Sequence, residues 1–223
     1  MAESWHRTAL EHRSALFAGL TTVAISIGGI VEIAPMFMTP LDTTGITVYT
    51  PLEVAGRDIY IREGCYNCHS QMVRPLQAET LRYGTWSRAN EYAFDRPFQL
   101  GSRRIGPDLM RVGGKYPDAW HFEHMRDPRS TSPGSIMPPY SWLHENRVDP
   151  ADVQASVNAL RTLGSPYPAD LDVAAAMATQ AAGITTRLAS AKIQTDPDRE
   201  IVAMIAYLQH MGLDGKNLYK DQP

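Results

Sequence analysis

Glu63-Gly64-Cys65-Tyr66-Asn67-Cys68-His69-Ser70 holds the only two cysteines of the 223-residue chain, spaced C-x-x-C, with a histidine directly after the second. That pattern reads as covalent attachment of a c-type haem. Each thiol adds to one porphyrin vinyl group, and two intervening residues let the backbone turn so that both sulfurs reach them. The next residue then falls beneath the ring, where the His69 imidazole can ligate iron. Ile59 to Glu63 reads as a helix delivering Cys65, and Gly64 lets the backbone approach the macrocycle closely. Other uses of two cysteines fit less well. An all-cysteine zinc site needs four, and the nearest paired histidines, His121 and His124, are too distant for a finger. A thioredoxin-type motif would close a strand in an α/β pattern, which is absent around Cys65. A plain structural disulfide is the alternative that stays open in an exported protein.

Composition narrows the class. Hydrophobic content of 43% with 20% charged residues is that of a globular chain, so disorder is not indicated. A net charge of −3 with no basic cluster argues against a nucleic-acid partner. Sixteen prolines and sixteen glycines point to a loop-rich fold.

Ser14 to Val31 is an uncharged run of 18 residues, and apolar character resumes after Glu32 with Ile33-Ala34-Pro35-Met36-Phe37. A membrane span needs roughly 17 to 25 residues. Glu-Ile-Ala-Pro makes a poor signal-peptidase site, so an uncleaved anchor is expected over 14–37. Arg7 and Arg13 precede the run and no Lys or Arg follows until Arg57. The positive-inside rule therefore places 1–13 in the cytoplasm as a stub and everything after the anchor outside. Ala15/Gly19, Ala18/Thr22/Ser26 and Ala24/Gly28 put small residues at i,i+4, a stripe on which another helix packs closely.

Residues 38–51 form a polar, Thr- and Pro-bearing linker, and 52–223 a periplasmic cytochrome c domain. The domain's first helix is expected from Leu52 to Glu63, with Ala55, Ile59 and Tyr60 on its core face. The segment from Tyr83 to Leu100 has weak periodicity and reads as mostly loop.

Gly106-Pro107-Asp108-Leu109 is the second signal. Proline has no N–H but keeps a carbonyl, which can accept from the His69 imidazole and fix the ring. Leu109 would pack on the haem face. The iron's sixth ligand is sought among ten methionines and the remaining histidines. Met137, in Ile136-Met137-Pro138-Pro139-Tyr140, is chosen because flanking prolines hold the loop in place. His121 or His124 is the bis-histidine alternative. Arg103 and Arg104, just before the Gly-Pro element, are the propionate candidates.

A final helix is expected from Pro197 to Met211, capped by Asp196, with Ile201, Met204, Ile205 and Leu208 as its apolar stripe and Gly212 as its stop. Residues 141–195 exceed what a minimal cytochrome needs. They hold a helix opened by Asp149-Pro150 and an Ala-rich helix from about Leu171 to Lys192, with no chemistry evident in either.

Together, IYIREGCYNCHSQMVRP, RPFQLGSRRIGPDLMRVGGKY, the MPPYSWL loop and the single anchor resemble the mono-haem cytochrome c subunit (subunit II) of cbb3-type cytochrome c oxidases. The resemblance covers nearly the whole chain. It implies a mainly α fold: one N-terminal transmembrane helix, then a class I-like cytochrome c domain with a helical insertion (141–195) before the C-terminal helix. It implies one covalently bound haem c and a place in the bacterial inner membrane. The implied partners are a haem–copper catalytic subunit, a di-haem cytochrome c subunit and a small single-span subunit, with a soluble c-type cytochrome as indirect donor. O2 is reduced to water, with proton pumping, on the catalytic subunit. The family also implies a calcium ion at the interface with that subunit, to which Ser102 is the candidate contributor. The anchored mono-haem subunit of bacterial nitric oxide reductase has a similar layout. A haem sensor or thiol–disulfide protein is the alternative of a different class.

Overall fold

A computed structural model describes residues 5–38, 41–101 and 103–220, in two compact units, Met1–Asp42 and Thr43–Pro223. Among the described residues the structure is helical, and its one β pairing is an isolated bridge between Arg147 and Arg199.

The first unit is a short π-helical turn, Arg7–Glu11, followed by α1, Ser14–Met38. At 25 residues, with mean hydropathy 1.9 over an 18-residue window, α1 is long and apolar enough to cross a membrane. Its length of about 37 Å exceeds a hydrocarbon core of about 30 Å. The Thr22 hydroxyl donates to the Ala18 carbonyl at 2.9 Å, so this polar group is satisfied within the helix.

The second unit is organised by two crossing helices, α2 (Pro51–Arg62) and α8 (Glu200–His210), the first and last long elements of the domain. Thr50 and Glu53 form a capping box at the start of α2. Thr50 Oγ1 accepts from Glu53 N at 3.4 Å, Glu53 Oε2 accepts from Thr50 N at 2.8 Å, and Pro51 opens the first turn. Glu53 is buried, yet its carboxyl stays below the ordinary range. Burial would raise it, but the bonds from His210, Thr50 N and Gln180 outweigh that effect.

Gly56 lies where the helices touch. A Cβ there would collide with the Ala203 carbonyl oxygen and approach Ala203 C and Tyr207 Cβ to 2.7 Å each. Tyr60 meets Tyr207 edge-on at 5.4 Å, and Tyr49, just ahead of α2, meets it at 5.5 Å.

The apolar stripe read on α8 is too narrow. Val202, Ala203, Ala206 and Tyr207 are buried along with Ile201, Met204, Ile205 and Leu208. A helix apolar on all sides must be enclosed on all sides. The enclosure comes from α2, α4 (Asp118–Arg126) and α7 (Val173–Ser190). The extra region 141–195 is thus a packing layer in which α6 (Pro150–Thr162) and α7 cover α2 and each other. Asp149 caps α6, its Oδ1 accepting from Ala151 N at 2.8 Å. The cap expected of Asp196 is not formed. Arg199 occupies the position before α8 in extended conformation. Asp196 instead accepts from Arg199 at 2.7 Å and Arg147 at 2.9 Å. Gly212, in the left-handed region at φ 71, follows α8 as expected.

Three short helices complete the set: α3 (Gln77–Tyr83), α5 (Pro128–Thr131) and α9 (Leu213–Leu218). The segment read as loop, 83–100, contains one 3-10 turn, Ala89–Tyr92. Two buried ion pairs hold it in place: Arg57 on α2 with Asp95 at 2.5 Å, and Arg111, in the turn after the Gly-Pro element, with Glu91 at 2.5 Å. With little apolar periodicity, the segment is fixed by fully hydrogen-bonded charge pairs.

Candidate functional site

Glu63 ends α2, and Gly64 turns the chain at φ 69 into a 3-10 turn, Cys65–Asn67. A Cβ at Gly64 would stand 2.7 Å from Asn67 Nδ2 in a backbone region that side chains avoid. The turn closes with Cys68 N and His69 N both donating to Cys65 O, at 3.1 and 3.0 Å. Both cysteines are unpaired and half-buried. Burial, then the charge of Glu63, pushes the Cys65 thiol up to about 12.

His69 Nδ1 donates to the Pro107 carbonyl at 2.8 Å. A carbonyl only accepts, so Nδ1 carries the proton and Nε2 keeps its lone pair. Burial lowers the His69 pKa against the raising effects of Pro107 and Asp108, favouring that neutral ring. Backbone bonds hold the two segments together: Gly106 N to Cys68 O at 3.0 Å and Leu109 N to Ser70 O at 2.8 Å. Gly106 lies flat on the imidazole. An added Cβ would collide with Cε1 and stand 2.7 Å from Nδ1. Leu109 is half-buried and packs on the main core.

Met137 is half-buried against the same core, its N–H donating to Ser135 Oγ at 3.2 Å. Its loop is tied down on the C-terminal side of Met137. Tyr140 N donates to Met125 O at 2.8 Å, on α4, and Trp142 Nε1 donates to Glu63 Oε2 at 3.3 Å. Burial, with the nearby Cys65, Cys68 and Glu63, raises the Tyr140 pKa. The loop carrying Met137 therefore returns to the residue pair that opens the cysteine motif, although they are over seventy positions apart.

Both alternative histidines sit on α4. His124 stacks on Trp120 at 4.4 Å, and its Nδ1 is 2.6 Å from Thr131 Oγ1. His121 is buried, its Nε2 without a hydrogen-bond partner among the described residues, and burial pushes its pKa down to about 4. Arg103 is exposed. Arg104 is half-buried and turned inward, with Nε on Ser70 Oγ at 2.7 Å and Nη2 on Glu79 Oε2 at 2.8 Å. Ser102, the calcium candidate, lies outside the described residues.

Sequence reasoning missed α4 and α3 as supports of this site. The buried positions of α4 are Asp118, His121, Phe122 and Met125, a helical spacing in which two of the four are polar. The only buried residue of α3 is Glu79, the partner of Arg104 and Arg74. A search for apolar periodicity passes over both.

The donor set fits a covalently held haem: two free thiols at the required spacing, an imidazole with Nε2 available, and a thioether on a tied loop. Residues 6–214 match the family described as cytochrome c oxidase, mono-heme subunit/FixO. None of the curated proteins matches the chain. With nearly its whole length so matched, the chain belongs to the FixO family of mono-haem subunits of cbb3-type cytochrome c oxidase.

Proposed function

We propose that the chain relays electrons, through one haem c joined to Cys65 and Cys68, to the haem–copper catalytic subunit of the oxidase. The His69–Pro107 bond carries this reading, because it leaves Nε2 as the ring's only ligating atom. When bound, the haem supplies one-electron exchange at its iron. His69 and Met137 would be the axial ligands, Leu109 a wall, and Arg103 with the remaining nitrogen of Arg104 the propionate donors. The family match favours an oxidase over a nitric oxide reductase. The proposed partners are the catalytic subunit, the di-haem subunit and the small single-span subunit, with a calcium ion at the first interface and a soluble cytochrome as distant donor.

Arg7 and Arg13, against the Lys/Arg-free stretch that follows, support a periplasmic domain. Alkaline phosphatase fused to the C-terminal end should be active in cells. An inactive phosphatase with an active cytoplasmic reporter there would reverse the orientation.

Met137 decides between relay and oxygen chemistry. A closed His/Met site has no position for O2, and a thioether favours ferrous iron more than a second imidazole does. Met137→Ala should bind carbon monoxide and lose the near-infrared sulfur-to-iron band entirely. Met137→His should refuse carbon monoxide and titrate at a lower potential. Survival of the band in Met137→Ala would assign the position to another methionine.

A further inference from the structure

Asp108 follows the carbonyl that holds His69, and its side chain is fully buried. Oδ2 accepts from Ser70 Oγ at 2.6 Å and from Met72 N at 2.8 Å, and Oδ1 accepts from Met110 N at 2.9 Å. Ser70 and Met72 lie just past His69, so the carboxylate joins the histidine's segment to the Gly-Pro segment. The peptide unit that accepts from His69 is Pro107–Asp108 itself. Four bonds flank it: Gly106 N to Cys68 O, Leu109 N to Ser70 O, and the two onto Asp108 Oδ2.

The counter-charge is incomplete. Arg104 Nη2 is 3.4 Å from Asp108 Oδ2 but 2.8 Å from Glu79 Oε2 and 2.9 Å from Met72 O. Its Nε reaches Asp108 only through Ser70 Oγ, which accepts from Arg104 and donates to Asp108. Glu79 thus holds the nearest cation away from a buried carboxylate beside the ligand's hydrogen bond. In a low-dielectric interior such a charge acts strongly over short distances.

We propose that Asp108 is a positioning residue for His69, and that Arg104, shared with Glu79, sets how much of its charge the imidazole feels. The inference rests on the haem reading of His69 given above. Asp108 holds the Pro107 carbonyl on Nδ1–H and makes the imidazole a stronger donor. A stronger donor stabilises ferric iron and lowers the reduction potential. Arg104 opposes this and Glu79 limits the opposition.

The test uses the full-length, haem-loaded chain in detergent, titrated optically for its midpoint potential. Asp108→Asn keeps the shape and an acceptor but removes the charge, so the potential should rise. Arg104→Gln removes the counter-charge, so the potential should fall, and Arg104→Lys should recover part of the loss. Glu79→Gln releases Arg104 to Asp108 and should raise it. This last variant leaves the Asp108 bonds in place, so it remains informative if Asp108→Asn does not fold. A merely structural role would let water reach the haem in every variant and move all the potentials one way. Same-direction shifts, or none, with haem attached and the near-infrared band intact, overturn the inference and leave the haem reading standing. A parent chain without covalent haem on a denaturing gel removes the reading of His69, and this inference with it.

Discussion

Gly56→Ala should lower the thermal midpoint of the haem-loaded chain by roughly 6 °C or more. The added methyl meets the Ala203 carbonyl and comes within 2.7 Å of Tyr207 Cβ, so the obstruction is backbone and helix stem. No rotamer change relieves it, and the two central helices must separate. Overpacking a core costs about 1–3 kcal/mol when side chains can adjust, and the upper end or beyond applies here. For a domain of this size each kcal/mol moves the midpoint by about 2–4 °C. Gly183→Ala is the control, since its nearest neighbour would be Arg187 Nη1 at 3.7 Å. In a helix interior that change should stabilise by about 0.5–1 kcal/mol. Circular dichroism melts that place Gly56→Ala level with the parent would show that the crossing is looser than the geometry gives.

The largest functional effect is expected from Cys65→Ala/Cys68→Ala. The chain has only these two cysteines, so no thioether can form elsewhere. A denaturing gel stained for haem should show a band for the parent and none for the double variant. Each single variant should retain one link. Persistent staining of the double variant would sink the attachment site, whatever the fold of the protein.

Much of this was legible in the sequence because it was written in residue types with narrow uses. The cysteine-histidine motif, the Gly-Pro element and the apolar N-terminal run each have few physical readings. Helices α2 and α8 were accessible because both carry an apolar face. What escaped was built from charge. α3 fully buries only Glu79, α4 buries Asp118 and His121 in core-facing positions, and the 83–100 loop is held by Arg57–Asp95 and Arg111–Glu91. A charged residue reads as exposed until its partner is known, and those of Glu91, Asp95 and Asp118 lie 20, 38 and 69 positions away. Asp196 shows the converse. A good capping residue was drawn off by two arginines that sequence proximity alone did not rank.

The pairing of α2 with α8 also fixes an order of events as the polypeptide is made. α2 emerges early, yet the helix that buries Leu52, Ile59 and Tyr60 begins only at Glu200. Thr47 likewise awaits Asp214, whose carboxylate accepts from its backbone N–H at 2.7 Å. Until α8 arrives, the motif at Cys65–His69 is attached to a helix that lacks its main packing partner. Closing a loop this long is slow compared with forming either helix. The unfinished chain therefore offers its thiols on open backbone, and covalent modification can precede final packing.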